Sequence, residues 1–425
     1  MCPIEEHTAT GNRATSVETT IGICGAGIGG LVLALRLAKL GFRPIVFEAR
    51  SKEAALSEGV FLTLASNGMN GLRAVDCHEA VLREGLETRA IELLNARGKR
   101  LALIDQSDHS ATFGMPAVTI KRGALTAILI EKCQANGILL QFGRRVTKVD
   151  SQPHAVMLTF SEGAGLAVDL LVAADGLRST VRTLVFPDYP LPQFTGLIGT
   201  GGIVDTDIPD TDGIMRMTFG EKAFFGYIKT ASHPVYWFDS FPADTPDAMR
   251  VLEPTALAAH VRRMHVDNPE PNKSILSAVD EIERSYPLFD MPQLAAWSKG
   301  RVALLGDAAH AIGPHAGQGA SMAIEDAVVL SSCLADTLDF GAAFARYEAL
   351  RRPRIARVVK LTRQSASRKR KNSRLSLFIR DLLLPLLIPM TVRASRKMFA
   401  YRVDLDPLGT KGGTEYVRQN RQDAA

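Results

Sequence analysis

Thr20 to Cys24 is a short apolar run that meets Gly25-Ala26-Gly27-Ile28-Gly29-Gly30 and continues into an apolar helical run, Leu31 to Leu40, stopped by Gly41. Pro44 to Phe47 then forms a second apolar run that ends in Glu48, eighteen residues beyond Gly30. Strand, GxGxxG, helix, strand and acid in this order predict a dinucleotide-binding α/β unit. Each residue type has its own reason. Gly25 allows the tight turn, Gly27 lets backbone approach a pyrophosphate, Gly30 permits close packing of helix on strand, and Glu48 can accept hydrogen bonds from ribose hydroxyls. Ile28 and Gly29 complete the turn. Arg50, just past the acid, either lies over an adenine or is an ordinary solvated arginine.

A second loop fits the same kind of ligand. The apolar strand Val302 to Leu305 delivers Gly306 and Asp307 to a turn that runs through Ala308, Ala309, His310 and Pro314 to Gly317-Gln318-Gly319. Ala320 to Leu330 then has helical spacing without Gly or Pro. The loop thus ends at a helix N-terminus, whose unpaired N–H groups and partial positive charge suit an anion or an electron-rich heterocycle. Asp307 is left at the strand tip to hold hydroxyls. A glycine-rich connection with no ligand is the alternative, and it weakens because further segments agree. The apolar run Ala167 to Ala173 opens onto Asp175-Gly176, at a strand end where open α/β sheets bind ligands, although a plain turn would look the same. Arg122 begins a helix reaching about Ala135, where the dipole disfavours a cation, so it either swings to solvent or meets a phosphate.

Between and beyond these loops the chain is less specific. Its 425 residues, 46% of them hydrophobic, can bury a large core and divide into two or three domains. Ala90 to Asp105 reads as two short strands. From Pro187 to about Pro287, alternating strands and frequent Gly and Thr predict a largely antiparallel module inserted into the α/β chain, with helix signals confined to Pro254 to Met264. Five scattered cysteines, odd in number and never spaced as CxxC, argue against a disulfide framework and against zinc, and predict a reducing, cytoplasmic setting. Met1 to Thr20 has no apolar core and reads as a flexible tail rather than a signal peptide.

The net charge of +5 is unevenly spread: Arg346 to Arg374 holds twelve Lys or Arg and one acid, Glu348, in and after a helix over Phe340 to Ser367. Leu375 to Met390 is apolar but interrupted by Arg380-Asp381, Pro385 and Pro389, and is too short to span a bilayer. Two readings of this tail stay open: helices packed across the domains with a solvated basic face, or weak contact with an anionic membrane surface through the basic run and Leu382 to Ile388. No stacking platform or reading module points to nucleic acid.

Gly25-x-Gly27-x-x-Gly30 with Glu48, the Arg122 helix start, Asp175-Gly176, and Gly306-Asp307 with Pro314 and Gly317-Gln318-Gly319 resemble the single-component FAD-dependent aromatic monooxygenases, the class of para-hydroxybenzoate and salicylate hydroxylases. Order and spacing match over roughly residues 20 to 365. The resemblance implies a Rossmann-like, glutathione-reductase-type FAD domain in two parts, 20–186 and 288–340. It places an inserted substrate-domain sheet at 187–287, a C-terminal helical region at 341–425 and a flexible tail at 1–19. Gly25, Gly27 and Gly30 would hold the FAD pyrophosphate, Glu48 the adenosine ribose, and Arg122 the pyrophosphate or ribityl chain. Asp175 and Gly176 would serve the pyrophosphate side and a transient pyridine nucleotide. Asp307 would hold ribityl hydroxyls, Pro314 would sit beside the isoalloxazine, and Gly317 to Gly319 would face its pyrimidine edge.

The implied reaction has NADH or NADPH reduce FAD, O2 trapped as a flavin C4a-hydroperoxide, and its distal oxygen passed to an aromatic or polyketide-like small molecule by hydroxylation or epoxidation. The flavin carries that chemistry, so no protein acid or base need be conspicuous. His315 and His310 flank the loop, His310 as a partner of local backbone groups; Tyr227 and His233 in the inserted sheet could deprotonate a phenol, though no motif separates them from packing residues. No second GxGxxG in a strand-to-helix setting exists, which argues against a separate nicotinamide domain. The rivals are an FAD-linked dehydrogenase or oxidase on the same fold and a non-catalytic flavin-binding protein at a membrane surface. A monomer and a homodimer are both compatible with the sequence.

Overall fold

The structure, a computed structural model, describes residues 19–313, 317–367, 381, 383, 392–393, 395–405 and 407–408. The proposed tail at residues 1–18, Pro314, His315, Arg368 to Lys371 and most of Leu382 to Ile388 lie outside the described residues.

Four sheets organise the chain. The first has six strands in the spatial order β18 (Ser298–Lys299), β19 (Val302–Leu304), β12 (Leu170–Ala173), β1 (Thr20–Cys24), β2 (Arg43–Glu48) and β8 (Leu139–Phe142). All neighbours run parallel except β18. Apolar strands of this kind need both faces covered. The helices Ile28–Lys39, Arg122–Ala135 and Gly319–Asp336 belong to the same packed core, with Leu31, Leu33, Leu129 and Val329 fully buried. The second sheet is an antiparallel meander of β11 (Leu166–Val168), β10 (Val156–Phe160) and β9 (Val146–Ser151). The apolar run expected as one strand from Ala167 to Ala173 is therefore two strands in two sheets. Asp169 interrupts it, its carboxylate accepting from the Thr20 N–H at 2.7 Å. A third small sheet orders β3 (Phe61–Leu64), β7 (Val118–Lys121) and β4 (Leu86–Glu87).

The largest sheet has seven strands: β17 (Tyr286–Asp290), β13 (Gln193–Val204), β16 (His233–Pro242), β15 (Phe224–Thr230), β14 (Ile214–Phe219), β5 (Ala90–Asn95) and β6 (Arg100–Asp105). It is antiparallel but for the β14–β5 pair. The expectation that residues 187–287 supply this sheet alone needs correction. Its last two strands come from residues 90–105, because β14 pairs with β5 from Ile214–Ala90 to Phe219–Asn95, and β17 crosses the expected boundary. A second helix, Asn272–Ser277, joins Pro254–Met264 on one face. There Phe225, Tyr227, Trp237 and Phe241 pack with Leu257, Val261 and Ile275. Among the described residues, no helix is long and apolar enough to cross a membrane.

Candidate active site

The first loop folds as its glycines require. Gly25 follows β1 at φ +108°, and a Cβ there would fall 2.4 Å from the Ala174 carbonyl oxygen. A Cβ at Gly30 would lie 2.1 Å from the Gly25 oxygen, so helix and turn touch through backbone alone. Gly27, by contrast, faces open space. It starts the Ile28–Lys39 helix, which has no side-chain cap and no acid in its first turn, leaving its first N–H groups available.

Glu48 and Arg50 are occupied differently from the expectation. The Glu48 carboxylate is buried and accepts from the Ala26 N–H at 2.9 Å and from Arg50 Nε at 2.8 Å. Burial pushes its pKa up, but Arg50 and the Ala26 N–H outweigh that and hold it below the usual range. Arg50 also pairs with Glu58, so it is neither stacked over open space nor simply solvated. Glu48 thus fastens the glycine turn to the end of β2. Arg122, at the start of its helix, is half exposed, sits 3.8 Å from Glu58 and lies against Gly59.

At the end of β12, Asp175 accepts from the Val181 N–H at 3.1 Å through Oδ2, while its buried Oδ1 has no partner. Burial raises this carboxyl's pKa against the opposing bonds from Ser179 and Val181. Gly176 (φ +79°) faces open space. Buried Arg182 donates to the Leu177 carbonyl at 2.7 Å and the Ala308 carbonyl at 2.8 Å, tying this turn to the next loop.

That loop begins at Gly306, N-terminal to a single helical turn, Asp307–His310. Leu305, Gly306 and residues 308–310 are buried, whereas the Asp307 side chain is open to the cleft. Enclosure by protein raises the Asp307 pKa, and the charges of His310 and Arg122 pull it back. Gly317 and Gly319 face open space before the helix Gly319–Asp336, which has no side-chain cap and no acid in its first turn.

A buried charge cluster holds both ends of this loop. Asp326 accepts from His310 Nε2 at 2.6 Å and from the Gly306 N–H at 3.1 Å. Its neighbour Glu325 accepts from Asn67 Nδ2 at 2.7 Å, and Asn67 also reaches Gln318 Oε1 at 3.1 Å. Arg351, from the helix Phe340–Ser367, donates to Asp326 and Glu325 at 2.6 Å each, and Arg354 adds two bonds of 2.6 Å to Glu325. Burial acts to raise the Asp326 pKa, yet His310 and Arg351 bring it down to about 2. His310 therefore serves a carboxylate rather than backbone groups. Sequence reasoning passed over Asn67, Arg182, Glu325, Asp326 and Arg351. The available signal was two adjacent acids in an otherwise apolar helix, since acids are rarely fully buried unless paired.

The remaining candidates separate from the cleft. Tyr227 lies on the sheet face covered by Pro254–Met264, its hydroxyl 3.4 Å from Arg216. His233 sits at a hairpin end with Nδ1 2.9 Å from Thr230 Oγ1. Pro314 and His315 belong to the residues not described.

Glycines that face open space at the ends of β1 and β12 and before a long helix, two uncapped helix N-termini, an open Asp307 and an unpartnered Asp175 oxygen suit a phosphate- and hydroxyl-rich dinucleotide. Fold and cleft together define a dinucleotide-binding α/β protein of the flavoprotein type. The chain belongs to the FAD binding domain family, whose profile matches residues 18–362. It is 32% identical over 341 residues to aurachin C monooxygenase/isomerase of Stigmatella aurantiaca, covering 78% of this chain and 85% of that one. It is 28% identical over 351 residues to 6-hydroxynicotinate 3-monooxygenase of Bordetella bronchiseptica, covering 80% and 90%. The crystal structure of Klebsiella pneumoniae HpxO complexed with FAD and uric acid has the same fold, with a TM-score of 0.77 at 23% identity, over 92% of this chain and 98% of that one. The protein is thus an FAD-dependent enzyme whose relatives are monooxygenases of aromatic compounds.

Proposed function

We propose that the protein is an NAD(P)H-dependent FAD monooxygenase that adds one oxygen atom of O2 to an aromatic or polyketide-like small molecule. The observation that carries this reading is that β3, whose Phe61 ring packs on Tyr236 of the aromatic sheet face, leads into the helix Ser66–Arg73, whose Asn67 meets Gln318 of the glycine-lined loop. When bound, FAD supplies the hydride acceptance from nicotinamide and the activation of dioxygen.

The chain's own residues bind and orient. Gly27, Ile28, Gly29 and Gly30 present backbone to the pyrophosphate, with Arg122 as a counter-charge, while Gly25, whose N–H is donated to the Phe47 carbonyl at 2.7 Å, makes the turn. Glu48 offers its remaining acceptor capacity to the adenosine ribose while fastening the turn. Asp175 and Gly176 close the pyrophosphate side, and Gly306 and Asp307 hold ribityl hydroxyls. Gly317, Gln318 and Gly319 present a helix N-terminus to the pyrimidine edge, where a developing negative charge gains up to about 2 kcal/mol in a partly buried site. Asp326, through His310 and the Gly306 N–H, keeps Asp307 at the strand tip. The sheet face excludes water from the reacting ring. A reducing, cytoplasmic setting accords with four cysteines that are buried and unpaired.

The test is aerobic oxidation of NADH and NADPH by the FAD-loaded protein under 18O2 with a panel of phenols, quinolones and polyketide aromatics. Oxidation stimulated by a panel member, with label from O2 in its product, is the expected result. Oxidation of a panel member with no nicotinamide consumed would instead identify a dehydrogenase.

A further inference from the structure

The seven-stranded sheet turns two chemically different faces outward. Register fixes which side chains share the face opposite the Pro254–Met264 helix. Across the middle of the sheet, Ala102 pairs with Leu93, Leu93 with Met217, Met217 with Gly226, Gly226 with Phe238, and Phe238 with Gly201. One row over, Ile104, Ile91 and Met215 pair across β6, β5 and β14, and Ile228, Tyr236 and Ile203 pair across β15, β16 and β13. On the other side, Asn95, Phe219, Phe224, Ser240, Gly199 and Tyr286 form a third row.

Burial differs between the rows. Met215, Ile228 and Tyr236 on one side, and Phe219, Phe224 and Ser240 on the other, are buried. In the middle row Gly226 is buried beneath Phe238, whereas Ala102, Leu93, Met217, Phe238 and Gly201 are half-exposed; toward the ends of the flanking rows Ile104 and Ile91 are half-exposed and Ile203 and Tyr286 exposed. Leu93, Met217 and Phe238 thus form the floor of a shallow apolar trough over β5, β14 and β16, and Val392 joins them in the apolar cluster along one side. Met217 and Phe238 are the residues shared by the two small apolar clusters on either side. Phe238 is seated over Gly226, where a Cβ would fall 2.4 Å from its ring. Phe61 of β3 closes over it, its ring 6.0 Å from that of Phe238 and 5.3 Å from that of Tyr236. The trough therefore connects with the cleft along the strand that leads to Asn67. Half-exposed apolar surface of this extent marks a binding surface.

Charge decides what fits there. Among the described residues, the three rows hold no Lys, Arg, His, Asp or Glu, and Asp381, which accepts from Asn95 Nδ2 at 2.9 Å, brings an anion rather than a cation to the third row. The sheet's own pair, Glu92 and Arg216, 3.2 Å apart, points from the opposite face. The nearby threonines are already bonded to one another, Thr63 to Thr119 at 2.7 Å and Thr119 to Thr88 at 2.8 Å. A carboxylate laid on this face would lose its hydration with no cation in return, a large penalty. An uncharged ring with an apolar chain would gain from every methylene covered.

Resting on the monooxygenase reading, we propose that the substrate is an uncharged aromatic compound with an apolar extension, lying across Leu93, Met217 and Phe238, and that these residues set its specificity by shape rather than by hydrogen bonds.

The probes are 2-naphthol, 6-hexyl-2-naphthol and 4-hydroxybenzoate, titrated into the FAD-loaded full chain and followed by the flavin absorbance difference spectrum. The hexyl compound is expected to bind at least about tenfold tighter than 2-naphthol, since partial burial of its six alkyl carbons exceeds the free energy of one decade. Saturable binding of 4-hydroxybenzoate is not expected. Met217→Arg should weaken the hexyl compound by about tenfold or more and create saturable binding of 4-hydroxybenzoate, because a cation on the trough floor now meets its carboxylate. Leu103→Arg, at a 47% exposed position paired with Glu92 on the opposite face, should leave both titrations unchanged. If Met217→Arg does not retain FAD, Phe238→Leu replaces it and should lower the preference for the hexyl chain. Tight binding of 4-hydroxybenzoate by the unaltered protein, or equal affinity for the two naphthols, would overturn the proposal. Preferential binding of the hexyl compound without NAD(P)H oxidation would support this substrate class and contradict the monooxygenase reading. Turnover of 4-hydroxybenzoate alone would do the reverse.

Discussion

The cleft at the strand ends and the face of the seven-stranded sheet solve recognition by opposite means. At the cleft, backbone does the binding: glycines facing open space, uncapped helix ends, and side chains that serve mainly to hold backbone still. Beneath it lies a cluster of fully buried charge, with Glu325, Asp326 and Arg351 all at 0% exposure. On the sheet face the described rows contain no charged residue, Asp381 meeting the edge at Asn95, and side-chain volume does the work. A cofactor that never changes can be held by fixed dipoles placed to within a fraction of an ångström. A substrate that differs between relatives is better met by a surface whose residues can be exchanged one at a time without disturbing the cofactor.

The largest effect should come from Arg351→Ala. It leaves the two buried carboxylates with Arg354 and Asn67 on Glu325 and His310 and the Gly306 N–H on Asp326, and breaking a buried pair by removing one partner typically costs about 3–5 kcal/mol. Urea unfolding of the FAD-loaded variant measures this, and a loss below about 1 kcal/mol would mean the cluster does not brace the cleft. Gly30→Ala should come next. With no room for a Cβ 2.1 Å from the Gly25 oxygen, FAD affinity should fall by about tenfold or more, read by flavin fluorescence. Binding of hydrophobic ligands to the sheet face should change far less, which sharpens the contrast between the two regions.

Asp326→Asn tests the same cluster by pH. The Asp326 pKa is depressed to about 2 when folded, so its stabilisation is fully present above the ordinary carboxylate range and is lost as pH falls toward 2. The variant should be less stable at neutral pH by on the order of 2 kcal/mol, and the gap should close between about pH 4 and pH 2. A gap independent of pH would contradict the assignment. The smallest effect should be Tyr227→Phe, which loses one long contact to Arg216 on the far face. The kcat/KM ratio should change less than about threefold; a loss of a hundredfold or more would place a catalytic base where the structure has a core residue.

The two regions were also unequally legible. The Gly25–Gly30 turn, the Arg122 helix start and the turns at Asp175-Gly176 and Gly306-Asp307 could be read as the ends of strands and helices, because glycine and acid stand there at fixed steps from apolar runs. The helix Phe340–Ser367 was equally plain from its lack of breakers up to Pro353. What escaped was whatever depends on partners far apart in sequence. Glu48 is turned inward by Ala26 and Arg50, and Asp326 meets His310 and Arg351 from two other elements. The joining of β5 to β14 brings residues 90–105 into a sheet otherwise built from 193–290. Which of Tyr227 and Phe238 faces the cleft depends on strand register, and a one-residue shift would exchange them.

The most direct measurement is anaerobic reduction of the FAD-loaded protein by NADH and by NADPH, with and without 6-hexyl-2-naphthol, followed by admission of 18O2 and mass analysis of the organic product. The account predicts faster flavin reduction when the hydrophobic phenol is present, and one labelled oxygen atom in the product after reoxidation. Bleaching of the flavin by the phenol alone, with no response to either nicotinamide, would contradict it.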